Sequence, residues 1–131
     1  MASERVAALI VKNKKLLLVT GYDESIYWTP GGKIEQGESF EGCLKREVFE
    51  ELRITITKAE KYTSKEYFNP VLKTRQVSHY FLVEFEGKVS PSKEISKIIW
   101  YSKENLAKKQ PKISEIVEEE IIPQMIKEGL L

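Results

Sequence analysis

Between Ser39 and about Leu52 the sequence writes a helix whose apolar side is bordered by acid. Phe40, Leu44, Val48 and Leu52 recur every four residues and form one stripe, and Ser39 is placed to cap the first turn. Glu47, Glu50 and Glu51 follow an i, i+3, i+4 spacing, so they project from one side of the same helix. At about 100° per residue, Glu51 points within roughly 20° of both Phe40 and Leu44, and Glu47 lies about 20° to the other side of Phe40. Carboxylates at the margin of a buried stripe need partners, and the sequence shows no cluster of basic residues on that face. A divalent cation would turn their mutual repulsion into attraction, and Mg²⁺ favours a few carboxylates together with water and phosphate oxygens. The competing reading, a solvated acidic face, holds for an isolated Glu-x-x-Glu-Glu.

A glycine-rich turn leads into this helix. Pro30-Gly31-Gly32, the loop 33–38 and Gly37 allow unusual backbone angles and a close approach to a ligand. An ordinary strand-to-helix turn would read the same. Upstream, Val6–Val11 and Leu16–Thr20 flank the polar Asn13-Lys14-Lys15 and read as a hairpin. Ile26–Thr29 reads as a short strand that ends at the prolyl-glycine turn. Downstream, strands are expected over 54–68, 77–85 and 95–101, with Gly87 ending the second. Ser102 caps a short helix near 103–108, and Ile113, Val117, Ile121 and Met125 mark a C-terminal helix kinked by Pro123.

The 131 residues fit one domain, 1–131, built as an α/β fold with a mixed sheet between helices. Net charge is +1, which gives no general attraction to nucleic acid polymers or acidic membranes. Cys43, the only cysteine, excludes an intrachain disulfide. No stretch is long and apolar enough to be a signal peptide or to span a membrane, so a cytoplasmic protein is expected.

Taken together, Gly32, Glu38, Arg46, Glu47, Val48, Glu50, Glu51 and Ile54 resemble the Nudix box, and 30–39 is similar to the MutT-type branch of that superfamily. One position departs: Arg53 stands where the family usually has Gly at a left-handed helix end. The resemblance covers nearly the whole chain, although only the box is diagnostic.

The resemblance implies attack of water on phosphorus and cleavage of a pyrophosphate link. It implies a Mg²⁺ site, open to Mn²⁺ as substitute, held by Glu47, Glu50, Glu51 and the carbonyl of Gly31. Glu38 and Arg46 become a structural ion pair that braces loop against helix, with Gly32 in the turn. For the general base, Glu94 lies six residues ahead of Trp100 and matches the MutT pattern, with Glu50 as the competitor. Glu94 reads equally well as a surface charge at a strand edge.

Substrate recognition is less legible. Tyr22, Tyr27, Trp28, Tyr80 and Phe81 are candidates for stacking on a base, though aromatics at such positions more often fill the core. Lys33 is a candidate phosphate contact, against the commoner reading of an exposed loop lysine. His79 reads as a strand residue near the site rim, and Cys43 as a small buried residue. Pro70 sits at an offset similar to a proline of ADP-ribose-hydrolysing members, without the rest of their signature.

The expected function is hydrolysis of a nucleoside triphosphate to a nucleoside monophosphate and pyrophosphate. One alternative is another substrate of the superfamily: ADP-ribose, a nucleotide sugar or a dinucleoside polyphosphate. A second, of another class, is an inactive nucleotide-binding module, which retention of all three box glutamates disfavours. The expected partner is a small-molecule nucleotide, and a homodimer is compatible with the resemblance.

Overall fold

The apolar, β-branched runs become strands in the computed structural model, which describes residues 3–22, 24–69 and 72–131. In chain order these are β1 (Ser3–Leu9), β2 (Val11–Lys12), β3 (Lys15–Gly21), β4 (Gly31–Lys33), β5 (Thr55–Asn69), β6 (Thr74–Glu86) and β7 (Ile95–Tyr101). Helix α1 (Phe40–Leu52) follows β4 and α2 (Lys103–Lys108) follows β7. A π-helical turn (Val117–Ile121) then runs into α3 (Ile122–Lys127). Pro70 lies outside the described residues.

The α/β architecture holds, but the strands divide into two sheets. The larger is mixed, in the order β4-β1-β6-β5, with β1 and β6 parallel. The smaller is antiparallel, in the order β2-β3-β7. This division overturns the simple N-terminal hairpin. The ladder across the turn is short: Val11 and Lys12 pair with Leu16 and Lys15, and Leu17 N–H donates to Ile10 O at 2.9 Å. Asn13 and Lys14 both take positive φ, 53° and 58°, as a tight type I′ turn requires. Ahead of that corner, β1 pairs with β4 and β6 in the other sheet. The physical reason is visible in its burial. Val6, Ala8 and Ile10 enter one core cluster, while Ala7 and Leu9 enter the other. A strand apolar on both faces belongs in the middle of a fold, and its residue pattern does not choose its neighbour.

Two further expectations change around the glycine turn. Ile26–Thr29 makes only single bridges, Trp28 with Val19 and Tyr27 with Ile113. Gly31–Lys33, expected as a turn, is instead the edge strand β4, paired with β1. Here the missing side chain decides: a Cβ on Gly31 would lie 2.0 Å from the Val6 carbonyl oxygen. Only glycine lets the two backbones meet there.

Ser39 caps α1, its hydroxyl accepting the Gly42 N–H at 3.0 Å. The helix buries Cys43, Leu44, Val48 and Leu52 in the first core cluster. Each fully buried Leu or Val contributes about 1.5–3 kcal/mol relative to exposure. The helix ends on Arg53, which adopts the left-handed conformation (φ 57°, ψ 31°) despite its side chain. Downstream backbone covers the last turn: Ser90 N–H donates to Leu52 O at 2.9 Å and Ser92 N–H to Glu51 O at 2.8 Å.

The C-terminal helix buries Val117, Ile121, Ile122 and Met125 in the second cluster. Pro123 has no N–H to donate, and the chain meets this with the π turn, in which Ile122 N–H bonds to Val117 O. Among the described residues no helix is long and apolar enough to cross a membrane.

Candidate active site

Helix α1 turns two of its three glutamates inward. Glu51 is 3% exposed and Glu47 9%, while Glu50 is partly exposed. The Gly31 N–H donates to Glu51 Oε1 at 3.0 Å. That bond opposes a larger effect. Burial, reinforced by the negative charges of Glu47 and Glu94, pushes the Glu51 carboxyl up to about 8. Glu47 packs against the neighbouring glycine so closely that a Cβ on Gly32 would stand 2.3 Å from Glu47 Oε2.

The sequence pattern suggested that no base serves these carboxylates, and here it misleads. Arg46 grips Glu38 with two bonds, Nε to Oε2 at 2.7 Å and Nη2 to Oε1 at 2.9 Å. Its third nitrogen, Nη1, reaches Glu47 Oε1 at 2.8 Å and Glu50 Oε1 at 3.1 Å. Neighbouring helical residues do not face one another, but the long, forked guanidinium spans the gap. The hydrogen bonds from Arg46, helped by the Glu35 backbone N–H, hold Glu38 down at about 2. Lys93 Nζ adds a contact to Glu50 Oε1 at 3.3 Å. Among the described residues, no three acidic, histidine or cysteine side chains are drawn into a closed cation cage.

The donor set nonetheless suits a hard divalent cation. Glu47 and Glu51 are buried oxygen donors on one helix, with Glu50 beside them. A carboxyl held up at about 8 by burial and like charge is one whose ionised form gains most from a nearby cation.

Glu94 lies close enough for its charge to act on Glu51, and its loop is fastened to the end of α1. Besides the Ser90 and Ser92 amides, Arg53 Nε donates to Ser92 Oγ at 3.1 Å. Gly21 completes the fit, since a Cβ there would lie 2.1 Å from the Glu94 carbonyl oxygen. Lys93, just before Glu94, takes a left-handed φ of 60°.

A cleft of about 750 Å³ opens on the other face of the larger sheet. Residues two apart on a strand share a face, and on β6 Gln76 and Tyr80 both line this cleft. Tyr67 on β5 lies opposite Gln76, and Arg5 on β1 opposite Ser78. Trp28 and Lys112 stand in the walls. The hydroxyl of Thr29, a cleft residue that is 1% exposed, has no hydrogen-bond partner among the described residues. Arg5 joins cleft to carboxylates: its Nη2 donates to Thr29 O at 3.2 Å, and its charge pulls the Glu51 carboxyl down.

The other singled-out residues fall elsewhere. Lys33 is exposed on β4, and Tyr27 packs against the second core cluster. Tyr22 is exposed and Phe81 belongs to the first cluster. His79 is not at a rim. It is buried beneath α1, stacked on Phe40 with ring centroids 4.4 Å apart, and burial lowers its pKa. Cys43 is buried, and desolvation pushes its thiol up to about 11. Arg5, Tyr67, Gln76 and Lys112 escaped the sequence reading. Each looks like an ordinary surface residue until strand pairing sets Arg5, Gln76 and Tyr67 side by side.

The NUDIX domain family model matches residues 2–124. The 8-oxo-dGTP diphosphatase of Buchnera aphidicola subsp. Acyrthosiphon pisum (strain APS) is 30% identical over 83 residues, 63% of this chain and 64% of that protein. The chain thus spans less than two thirds of that relative's length. The E. coli ORF135 protein, known from a solution structure, is 30% identical with a TM-score of 0.70, over 87% of this chain and 81% of that one. The MutT protein of Methanosarcina mazei Go1 superposes with a TM-score of 0.82 over 98% of this chain and 95% of that one. At 21% identity, that likeness is one of fold. Nudix enzymes generally use a divalent metal ion. With a family match over nearly its full length, and with Glu47 and Glu51 of the box buried against a glycine strand, this chain belongs to the Nudix hydrolase family and carries a MutT-like fold.

Proposed function

We propose that this protein hydrolyses a nucleoside triphosphate to a nucleoside monophosphate and pyrophosphate with Mg²⁺, for which Mn²⁺ can substitute. The observation that carries this reading is the pairing of buried Glu51 and Glu47 with β4, linked through Arg5 to a cleft of about 750 Å³. That volume suits a nucleoside, and the acidic cluster beside it suits a cation that accompanies a phosphate chain.

Glu47, Glu50, Glu51 and the carbonyl of Gly31 are the proposed ligands. The ion, when bound, neutralises phosphate charge and acidifies a water. The chain supplies the rest. Trp28 offers a stacking surface in the cleft wall, and Arg5 places a fixed positive charge between nucleoside and phosphates. Glu38 and Arg46 lock the 35–38 loop to α1, so the glutamates keep their positions. Glu94, fastened beside Glu51, takes the proton from the attacking water, and Glu50 is the competing base. Tyr27 and Lys33, set apart from the cleft walls, are weaker substrate contacts.

A panel of canonical and oxidised nucleoside triphosphates, ADP-ribose and diadenosine polyphosphates, assayed with each metal, tests the reading. Pyrophosphate release from triphosphates supports it; turnover confined to ADP-ribose or dinucleotides contradicts it. Glu94→Gln separates the two bases. A fall in rate at unchanged Mg²⁺ affinity assigns proton transfer to Glu94, and an unchanged rate assigns it to Glu50.

A further inference from the structure

The amide groups in the cleft have a fixed direction. The Leu72 N–H donates to Asn69 Oδ1 at 3.1 Å. A backbone N–H only donates, so this bond fixes which end of the Asn69 amide is oxygen. Asn69 Nδ2 therefore faces Gln76, and it donates to Gln76 Oε1 at 3.3 Å. Tyr67 donates its hydroxyl to the same oxygen at 2.9 Å. A phenol donates or accepts as required, so Asn69 makes the decision and Tyr67 follows it. With Oε1 occupied twice and Nε2 bonded to none of the described residues, Gln76 has its Nε2 hydrogens left for the cleft it lines. The half-buried Gln76 sits on the sheet face shared with Ser78 and Tyr80, and Trp28 lines the same cleft.

We propose that Gln76 is a specificity residue that donates an N–H to a carbonyl oxygen on the base, its direction set by Asn69, so the cleft selects keto bases over their amino counterparts. This rests on the cleft being the nucleoside site proposed above. The chemistry is a matching rule. An amide donor pairs with O6 of a 6-oxopurine or O4 of uracil and thymine. Against the exocyclic amino group of adenine or cytosine it leaves two donors facing each other. Sites that hydrogen-bond a substrate group discriminate more sharply than sites that measure its size.

The test compares bases that differ in that one group: ITP against ATP, and UTP against CTP, read as ratios of kcat/KM with Mg²⁺. The wild type is expected to favour the keto member by about tenfold or more. Gln76→Glu, which replaces the donor with an acceptor of equal size, is expected to bring both ratios below one. Asn69→Leu removes the group that orients Gln76 and is expected to bring them near one. Wild-type ratios near one, or ratios that either variant leaves unchanged, overturn the proposal. Calorimetric binding of IMP against AMP and of UMP against CMP reads the same preference without turnover. A protein that turns over no triphosphate yet prefers IMP and UMP would refute the proposed reaction and keep the role of Gln76. Equal binding would refute the role of Gln76 whatever the reaction.

Discussion

Glu51 Oε1 accepts the backbone N–H of Gly31 at 3.0 Å, a bond that reaches across twenty residues of sequence and ties α1 to the edge of β4. It holds a carboxyl in a place where ionisation is costly. In the folded protein its pKa is raised from 4.5 to about 8, chiefly by burial. The folded state therefore binds the proton more tightly than the unfolded chain does. The resulting stabilisation is complete below about 4.5 and is lost as pH rises through about 8. In a chelator, the melting temperature of the wild type is expected to fall across that window by more than that of Glu51→Gln, and added Mg²⁺ is expected to return part of the loss. Parallel pH profiles for the two proteins would contradict this assignment.

Gly31 and Gly32 are adjacent, yet their substitutions fail differently. A Cβ on Gly31 strikes backbone, 2.0 Å from Val6 O, which cannot yield without breaking the pairing of β4 with β1. Gly31→Ala is expected to destabilise by several kcal/mol. A Cβ on Gly32 strikes the end of the Glu47 side chain, 2.3 Å from Oε2. A carboxylate can swing away, so Gly32→Ala is expected to cost about 1 kcal/mol or less and to weaken Mg²⁺ binding instead. Denaturation midpoints and metal titrations on the two variants distinguish these outcomes.

At the other end of the helix, Arg53 holds a left-handed conformation that costs a side-chain-bearing residue about 1 kcal/mol. Its compensating contacts are exposed: the bond to Ser92 Oγ at 3.1 Å, and the guanidinium 5.3 Å from the centre of the Phe49 ring. Such contacts contribute little. Arg53→Gly is expected to raise stability by a few tenths to about 1 kcal/mol, read as a higher melting temperature. A lower one would show that Arg53 anchors the loop carrying Glu94.

Arg46→Lys keeps the charge and loses the fork that binds both oxygens of Glu38. It is expected to destabilise by about 1–2 kcal/mol and to lower activity, because the 35–38 loop and the carboxylates of Glu47 and Glu50 lose their shared partner. Proteolysis within 35–38 in the variant alone would support the bracing role, and equal resistance would argue against it.

The helix of the site was legible because its signals are local. Ser39, the four-residue stripe and the glutamate spacing all lie within fourteen residues, and α1 forms over Phe40–Leu52 as they require. The inward turn of Glu47 and Glu51 was legible for the same reason, since a helical wheel fixes angles. The reach of Arg46 is hidden from the sequence, because a wheel shows where a side chain starts and not how far a guanidinium extends. The two-sheet division was hidden because β1 is apolar on both faces, so its pattern fits several partners. Gln76 and Arg5 were hidden because their role depends on the register of β1, β5 and β6, which brings together residues about seventy positions apart.

The most direct measurement is pyrophosphate release from a nucleoside triphosphate by the wild type and by Glu51→Gln, at limiting and saturating Mg²⁺, with melting temperatures recorded alongside. The wild type is expected to turn over, and the variant to lose about a hundredfold or more while melting no lower. Near wild-type turnover by Glu51→Gln at limiting Mg²⁺ would contradict the role of Glu51 as a metal ligand.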